Sequence, residues 1–369
     1  MTPAALLALA ALAGEPNLIE PPPFSGAAFF LEEDAFNIAH PSDQNYTGGG
    51  ALQFSGLWFK WATIPLEGID RFTGLQARLD AMDQEDGRTY RGYSLGLGIT
   101  VFTPRELRDF DPIQVDRPYA ALDFLTATRT SAFERLGWSI TTELTVGVLG
   151  LDQGHQLQKY IHDIARAAKG CQDEVPECTP HDPKGWANQI SFGGEPTLRY
   201  GLLLERRMVD ARAADWARFD LKGTARLDLG YYTGGALGFA FRAGLFHTPF
   251  WAYNTAPING TNQMVPSVAS PSEATSVSGG GPELYLFGAL RGRAVAYNAL
   301  LRGQFRPSEV HLNDTEELPL LYEFEVGATL SWKGFGITYM PFAGRSPEFN
   351  AGSPLRHQIW TSIYVWYRA

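Results

Sequence analysis

The sequence predicts an all-β fold: an antiparallel transmembrane β-barrel of about twelve strands with a short extracellular loop helix. Three observations carry that prediction. The first is strict alternation in Arg88 to Phe102, where Tyr93, Leu95, Leu97, Ile99 and Val101 face one way and Gly92, Ser94, Gly96, Gly98 and Thr100 the other. The second is where the charges fall. Phe219, Leu221, Ala225, Leu227 and Leu229 oppose Asp220, Lys222, Thr224, Arg226 and Asp228. Charge on the small-residue face and apolar residues on the other imply a polar interior and a lipid-facing exterior; a soluble sandwich shows the reverse. The third is composition: 39 Gly and 13% aromatic residues with only 19% charged, where soluble domains carry about a quarter charged.

The elements follow in order. Ala4 to Ala13 is a short apolar run ending in Ala11-Leu12-Ala13, a small-residue cleavage pattern, so residues 1–13 are expected to be an export signal and 14–369 a single barrel domain. A Pro-rich linker, Glu20 to Pro23, leads into strands at Phe24 to Phe36, Ala51 to Phe59 and Arg88 to Phe102. Trp138, Ile140, Leu144, Val146 and Val148 oppose Ser139, Thr141, Glu143 and Thr145; Tyr322, Phe324, Val326 and Leu330 oppose Glu323, Glu325, Thr329 and Ser331. The chain ends in an aromatic alternating strand, IWTSIYVWYRA, suited to closing the barrel. Between strands, irregular segments fall at Pro41 to Gly49, Pro104 to Pro118, Gly150 to Trp186, Asn254 to Pro282 and Arg306 to Leu318. Within the third, Gly150 to His162 is the one stretch that reads as helix. No run of eighteen or more apolar residues occurs, so a transmembrane helix is excluded while barrel strands of about ten residues are not.

Charge and cysteines narrow the function classes. A net charge of -10 argues against a nucleic-acid partner, which needs a basic face, while local basic groups can still hold an anionic lipid. Cys171 and Cys178 sit close together in a polar, Pro-containing segment of an exported chain and most simply pair as a disulfide. His181 is the only His nearby, too few ligands for zinc.

Three stretches are candidates for chemistry. Glu33-Asp34 ends the first strand, where an acidic pair entering water is the bland alternative. Asn45-Tyr46-Thr47-Gly48 precedes the second strand, and its residue types also suit a turn. Gln158 and His162 stand four apart, so on a helix they share a face; the alternative is an amphipathic helix capping the barrel. Asp34 and Thr47 flank one connection, so an acid, a hydroxyl and a His/Gln helix can meet at one rim. Gly92-Tyr93-Ser94-Leu95-Gly96 matches the nucleophile-elbow pattern, but that motif needs a strand-to-helix turn, and here it lies inside the most regular strand. Asp116-Arg117-Pro118-Tyr119 reads as a charged turn with Arg117 pairing locally.

Taken in order, LEEDAFN with DQNYTGG, VFTP followed by VDRPYAAL, VGVLG with HQLQKYIH, GWANQISFGGEPTLRY, RAVAYNALLRGQF and RSPEFNAG resemble the outer-membrane lipid A 3′-O-deacylase family, LpxR, over nearly the whole chain beyond the leader. The resemblance implies a twelve-stranded outer-membrane barrel that removes the 3′ acyloxyacyl group of lipid A, with calcium, at a site between the wall and a loop helix. It implies His162 as catalytic base, Gln158 as its helix companion, Asp34 as the acid of an Asn-Asp pair and Thr47 as the Thr of a Tyr-Thr step. Glu33 stands where that pair's Asn is usual and joins Asp34 as an expected metal ligand. Arg108 is the nearest basic residue to the family's active-site Lys and the expected substrate contact. The acid that follows the His on the family's helix has no evident match near Ala168-Lys169. Expected partners are lipid A or lipopolysaccharide and outer-membrane lipids, with the protein a monomer in the bacterial outer membrane.

The chemistry is self-consistent. A neutral His can deprotonate a water as it attacks an ester carbonyl, and a hard cation on carboxylate oxygens can stabilise the developing oxyanion. Two other classes compete: a catalytically silent barrel serving as pore or structural protein, and a Ser-based phospholipase using Ser94, which requires a His beside its hydroxyl.

Overall fold

The computed structural model describes residues 17–34, 45–107, 109–168, 183–214, 217–253, 281–352 and 355–369. The expected leader (1–13), Arg108, Cys171 and Cys178 lie outside the described residues. Twelve antiparallel strands close into a barrel: β2 (Gly26–Glu33), β3 (Asn45–Ser55), β4 (Arg88–Thr103), β5 (Ala120–Phe133), β6 (Trp138–Leu149), β7 (Glu195–Ala214), β8 (Ala217–Gly230), β9 (Tyr232–Leu245), β10 (Glu283–Asn298), β11 (Leu320–Trp332), β12 (Phe335–Arg345) and β13 (Gln358–Arg368). Each pairs with the next, and β13 returns to β2 from Thr361↔Glu33 to Arg368↔Gly26. Closure leaves no open edge, the condition for a sheet to cross a bilayer. A three-residue strand, β1 (Asn17–Ile19), pairs in parallel with the first residues of β4.

The two-residue period sorts the side chains as expected. Leu52, Leu97, Leu125, Val146, Leu198, Leu227, Leu286 and Val326 point out and are exposed, while Gln53, Thr126, Thr145, Arg199, Asp228 and Glu325 point in and are buried. Inside, Glu32 accepts hydrogen bonds from Tyr46 (2.7 Å), Ser362 (2.8 Å) and Tyr364 (2.9 Å), tying the closing strands together. Further round the wall, Arg293 pairs with Glu323 and Asp228, Arg345 with Glu323 and Glu348, Arg199 with Glu143 and Arg226 with Asp228. These groups are buried, and charges out of water persist when paired and hydrogen-bonded, which the planar guanidinium does well. The lower mouth is stopped by residues 246–253: Lys222 donates to the carbonyls of Phe250 (3.2 Å) and Tyr253 (2.7 Å), and Trp251 packs on Tyr90.

Several expectations change. The first strand starts two residues later than expected, at Gly26. Asn45 to Gly48 belongs to β3 rather than to a turn, because β4 pairs Asn45 with Thr103 and Tyr46 with Phe102, and β2 pairs Gly48 with Glu33. At the other end β3 stops at Ser55, where the alternation in the sequence suggested Phe59; Leu57–Thr63 is a 3-10 helix. It leads into two further helices, α1 (Ile64–Phe72) and α2 (Leu75–Asp86), which had not been expected. They lie on the outside of the barrel. Asp70 of α1 accepts from Arg129 (3.5 Å), Thr142 (3.2 Å) and Tyr200 (3.0 Å), which occupy outward positions on β5, β6 and β7. Leu79 of α2 packs on Phe133 and Ile140, and Asp83 pairs with Arg91. Arg117 does not pair only locally. It is buried, lies 4.0 Å over the ring of Phe102 and forms an ion pair with Glu348, 231 residues along the chain.

Candidate active site

The longest helix, α3 (Gln153–Ala168), leaves the upper end of β6 and lies against the outer wall. By the short-turn, long-loop asymmetry of outer-membrane barrels this is the extracellular rim. Two glycines bring it close. Gly150 turns the chain with φ of 78°, and a Cβ there would lie 2.1 Å from the Ser191 carbonyl oxygen. A Cβ on Gly154 would lie 2.6 Å from that of Ala121 and 2.9 Å from the Trp186 ring. Leu157 then packs into the cluster of Val101, Tyr119, Ala121 and Trp186. This explains why Val101, at an outward position, is buried: the helix covers it.

Between helix and wall runs a groove of about 760 Å³. Its floor is the outer face of β2 to β6, largely apolar, and Leu157, Gln158 and Ile161 form its roof. Glu33, Thr47 and Gln158, three of the residues singled out from sequence, line it together. Glu33 faces outward beside Gly48, its cross-strand partner, and a Cβ on Gly48 would lie 2.5 Å from the Glu33 Oε2 atom. The glycine makes room for the carboxylate. Thr47 is the extra residue of a β-bulge, since Tyr46 pairs with Phe102 and Gly48 with Val101. The bulge re-aims its hydroxyl, which sits 2.7 Å from that of Thr103. Asp34 is buried and donates its backbone N–H to the Thr47 carbonyl (3.1 Å), so acid and hydroxyl do flank one connection.

Gln158 is buried and accepts from the Trp186 indole N–H at 3.0 Å. That bond fixes the amide: its oxygen points to Trp186 and its nitrogen to the other side. His162 lies one turn further along α3, half-buried, next to groove-lining Ile161, and is not itself part of the lining. Arg108 lies outside the described residues; its neighbour Leu107 belongs to the cluster around Trp186. Ser94 is mid-strand, buried, and paired in register with Ser55 and Thr128, with no elbow. Trp186, Thr103 and Asp123 carried no assignment at the sequence level. Asp123 had a readable signal, a charge at an outward position of β5.

Calcium takes six to eight oxygen ligands, carboxylates foremost. Glu33 and Asp34 offer that donor type, and no group of three or more His, Cys, Asp or Glu that could hold a metal occurs among the described residues. The donor chemistry fits a hard cation whose other ligands are neutral oxygens.

The family model for outer membrane protein LpxR matches residues 2–369. Among solved structures, LpxR from Salmonella typhimurium is similar at 14% identity and a TM-score of 0.66, over 93% of this chain and 99% of that one; at that identity the likeness speaks to the fold. The beta domain of the Bordetella autotransporter BrkA (10% identity, 94% and 98% covered, TM-score 0.38) and the translocator domain of NalP from Neisseria meningitidis (9%, 99% and 94%, TM-score 0.35) follow, too distant to carry an argument. No curated protein matches the sequence.

Proposed function

This chain belongs to the family of the outer membrane protein LpxR, and on that premise we propose that it is an outer-membrane lipid A deacylase hydrolysing the 3′-linked acyloxyacyl ester. The observation that carries the reading is the groove. It is a largely apolar channel on the lipid side of the wall, with a carboxylate, a hydroxyl and an amide at it, open to an amphiphile arriving sideways from the outer leaflet. In this reading His162 is the general base, taking a proton from a water as that water attacks the ester carbonyl. Thr47 can accept from Thr103 and still donate to the carbonyl oxygen, and the Gln158 amide nitrogen is a second donor. Glu33 and Asp34 would hold calcium, which when bound supplies positive charge to a developing oxyanion. Arg108 is assigned to the anionic headgroup. No covalent nucleophile is needed, in keeping with Ser94 in mid-strand.

A pore is disfavoured by the interior, where Arg199, Arg293, Arg345 and their carboxylates are buried. The test is mass spectrometry of lipid A incubated with the purified protein, with and without calcium, beside His162→Ala. Loss of an acyloxyacyl mass with wild type alone supports the reading. No change with either protein in calcium overturns it in favour of a silent barrel, and equal activity of both moves the base away from His162.

A further inference from the structure

The barrel register lines outward side chains into rows across the groove floor. The lower row is Phe29, Leu52, Leu97, Leu125 and Val146, all exposed and apolar. The row above it is Leu31, Gly50, Ile99, Asp123 and Val148. One carboxylate interrupts it. Asp123 lines the groove, and its Oδ2 atom is shielded from solvent with no hydrogen-bond partner. Its cross-strand neighbours are Ile99 and Val148, and its neighbours on the same face of β5 are Ala121 and Leu125; none has a donor side chain. A polar group turned toward lipid without a partner is costly, and such groups mark functional positions.

We infer that Asp123 is a recognition residue, accepting a hydrogen bond from a hydroxyl carried on an acyl chain of the bound amphiphile. The proposal rests on reading the groove as an acyl-chain site and deepens that reading. Its location selects the ligand. Ala121, one row higher, is already roofed by Gly154 of α3, so Asp123 lies below the level at which a headgroup sits. The donor must therefore belong to the chain. Asp123 is three strands from Glu33, about 14 Å at the usual strand spacing. A lipid whose scissile ester sits by Glu33 and Thr47 thus meets Asp123 with a neighbouring chain, which calls for a ligand bearing several chains.

The test is binding, so that it needs no turnover. The full-length protein carrying His162→Ala, in detergent micelles, is loaded with a fluorescent fatty acid. That probe is then displaced with 3-hydroxytetradecanoic acid or with tetradecanoic acid. The hydroxylated acid should displace it about tenfold better, the scale of one hydrogen bond to a charged acceptor. Asp123→Val, which continues the apolar row and keeps the barrel intact by heat-modifiable migration, should erase the difference, and Asp123→Asn should keep part of it. Equal displacement by the two acids with Asp123 present, or a preference that survives in Asp123→Val, overturns the proposal. A hydroxyl preference in a protein that leaves lipid A uncut would overturn the deacylase reading and leave this one standing.

Discussion

At the scale of single residues, the site is built from side chains whose positions depend on neighbours with no chemistry of their own. Gly48 is the clearest. Alanine there would meet the Glu33 carboxylate and the Glu32 carbonyl, so if Glu33 holds calcium as proposed, Gly48→Ala should displace it and weaken calcium binding, read as a raised calcium requirement in the deacylation assay. On α3, His155 and His162 are seven apart and share a face, but His155 stacks on Trp186 near Asp152. His162→Ala should lower the rate by about 10²-fold or more, the usual range for losing a general base, while His155→Ala should stay within a few-fold. Loss with His155→Ala alone would reassign the base. Glu348 provides a pH handle. Burial alone would raise it, but the Arg117 and Arg345 guanidiniums beside it outweigh burial and hold it down from 4.5 to about 2. A carboxylate depressed in the folded state contributes stability in full above its ordinary value and loses it as pH falls through the folded one. The extracellular rim should therefore lose thermal stability between about pH 4.5 and 2, and Glu348→Gln should flatten that limb in melts followed against pH.

At the scale of elements, the strands were legible because membrane barrels write their two faces directly into alternate residues. Phe219 to Leu229 needed nothing but its own period. The outer helices were not legible. In α2 the buried positions are Leu79, Asp83 and Asp86, so the face it packs with is mostly acidic and leaves no apolar stripe to read. Its partners are equally unusual: Arg91, which pairs with Asp83, and Arg129, which donates to Gln76, are cations at positions where lipid was expected. The bulge at Thr47 and the contact of Arg117 with Glu348 were hidden for a different reason, since both are set by pairing across the barrel and not by local sequence. Of the groove lining, Glu33, Thr47 and the helix carrying Gln158 could be singled out from sequence; the bond from Trp186 that orients Gln158 could not. The hairpin invites its own test. Asp70→Ala leaves the Arg129 guanidinium without its carboxylate and should cost about 1–3 kcal/mol. Limited trypsin digestion should then cut at Arg71 or Arg78 while the barrel still migrates as folded; unchanged resistance would show that Asp70 does not hold the hairpin.

At the scale of the whole molecule, a closed wall with a packed interior leaves function to its outer surface, and the surface is uneven. On β11, Leu320, Tyr322, Val326, Leu330 and Trp332 are all exposed, an apolar run of about 40 Å along the strand. On β5, Ala121 is roofed by α3, and Ala127, Arg129, Ser131 and Phe133 are buried on the side where α1 and α2 pack; Leu125 is the one large apolar side chain left exposed. Of the helices that pack there, α2 turns Arg78, Asp80, Gln84 and Glu85 outward and adds no apolar wall, while Trp61, Ile64 and Phe72 before it are exposed. On β4 only Leu97 is exposed and its outward neighbours Leu95 and Ile99 are half-buried, a stretch of about 13 Å against an apolar band of about 25 Å in barrels of this kind. Hydrophobic mismatch of that size is relieved by thinning the bilayer. On that reckoning the two leaflets would be drawn together on the flank of the barrel that carries the groove. A lipid diffusing round the protein would then be least well packed, and cheapest to lift, beside the groove that the proposed activity requires it to enter.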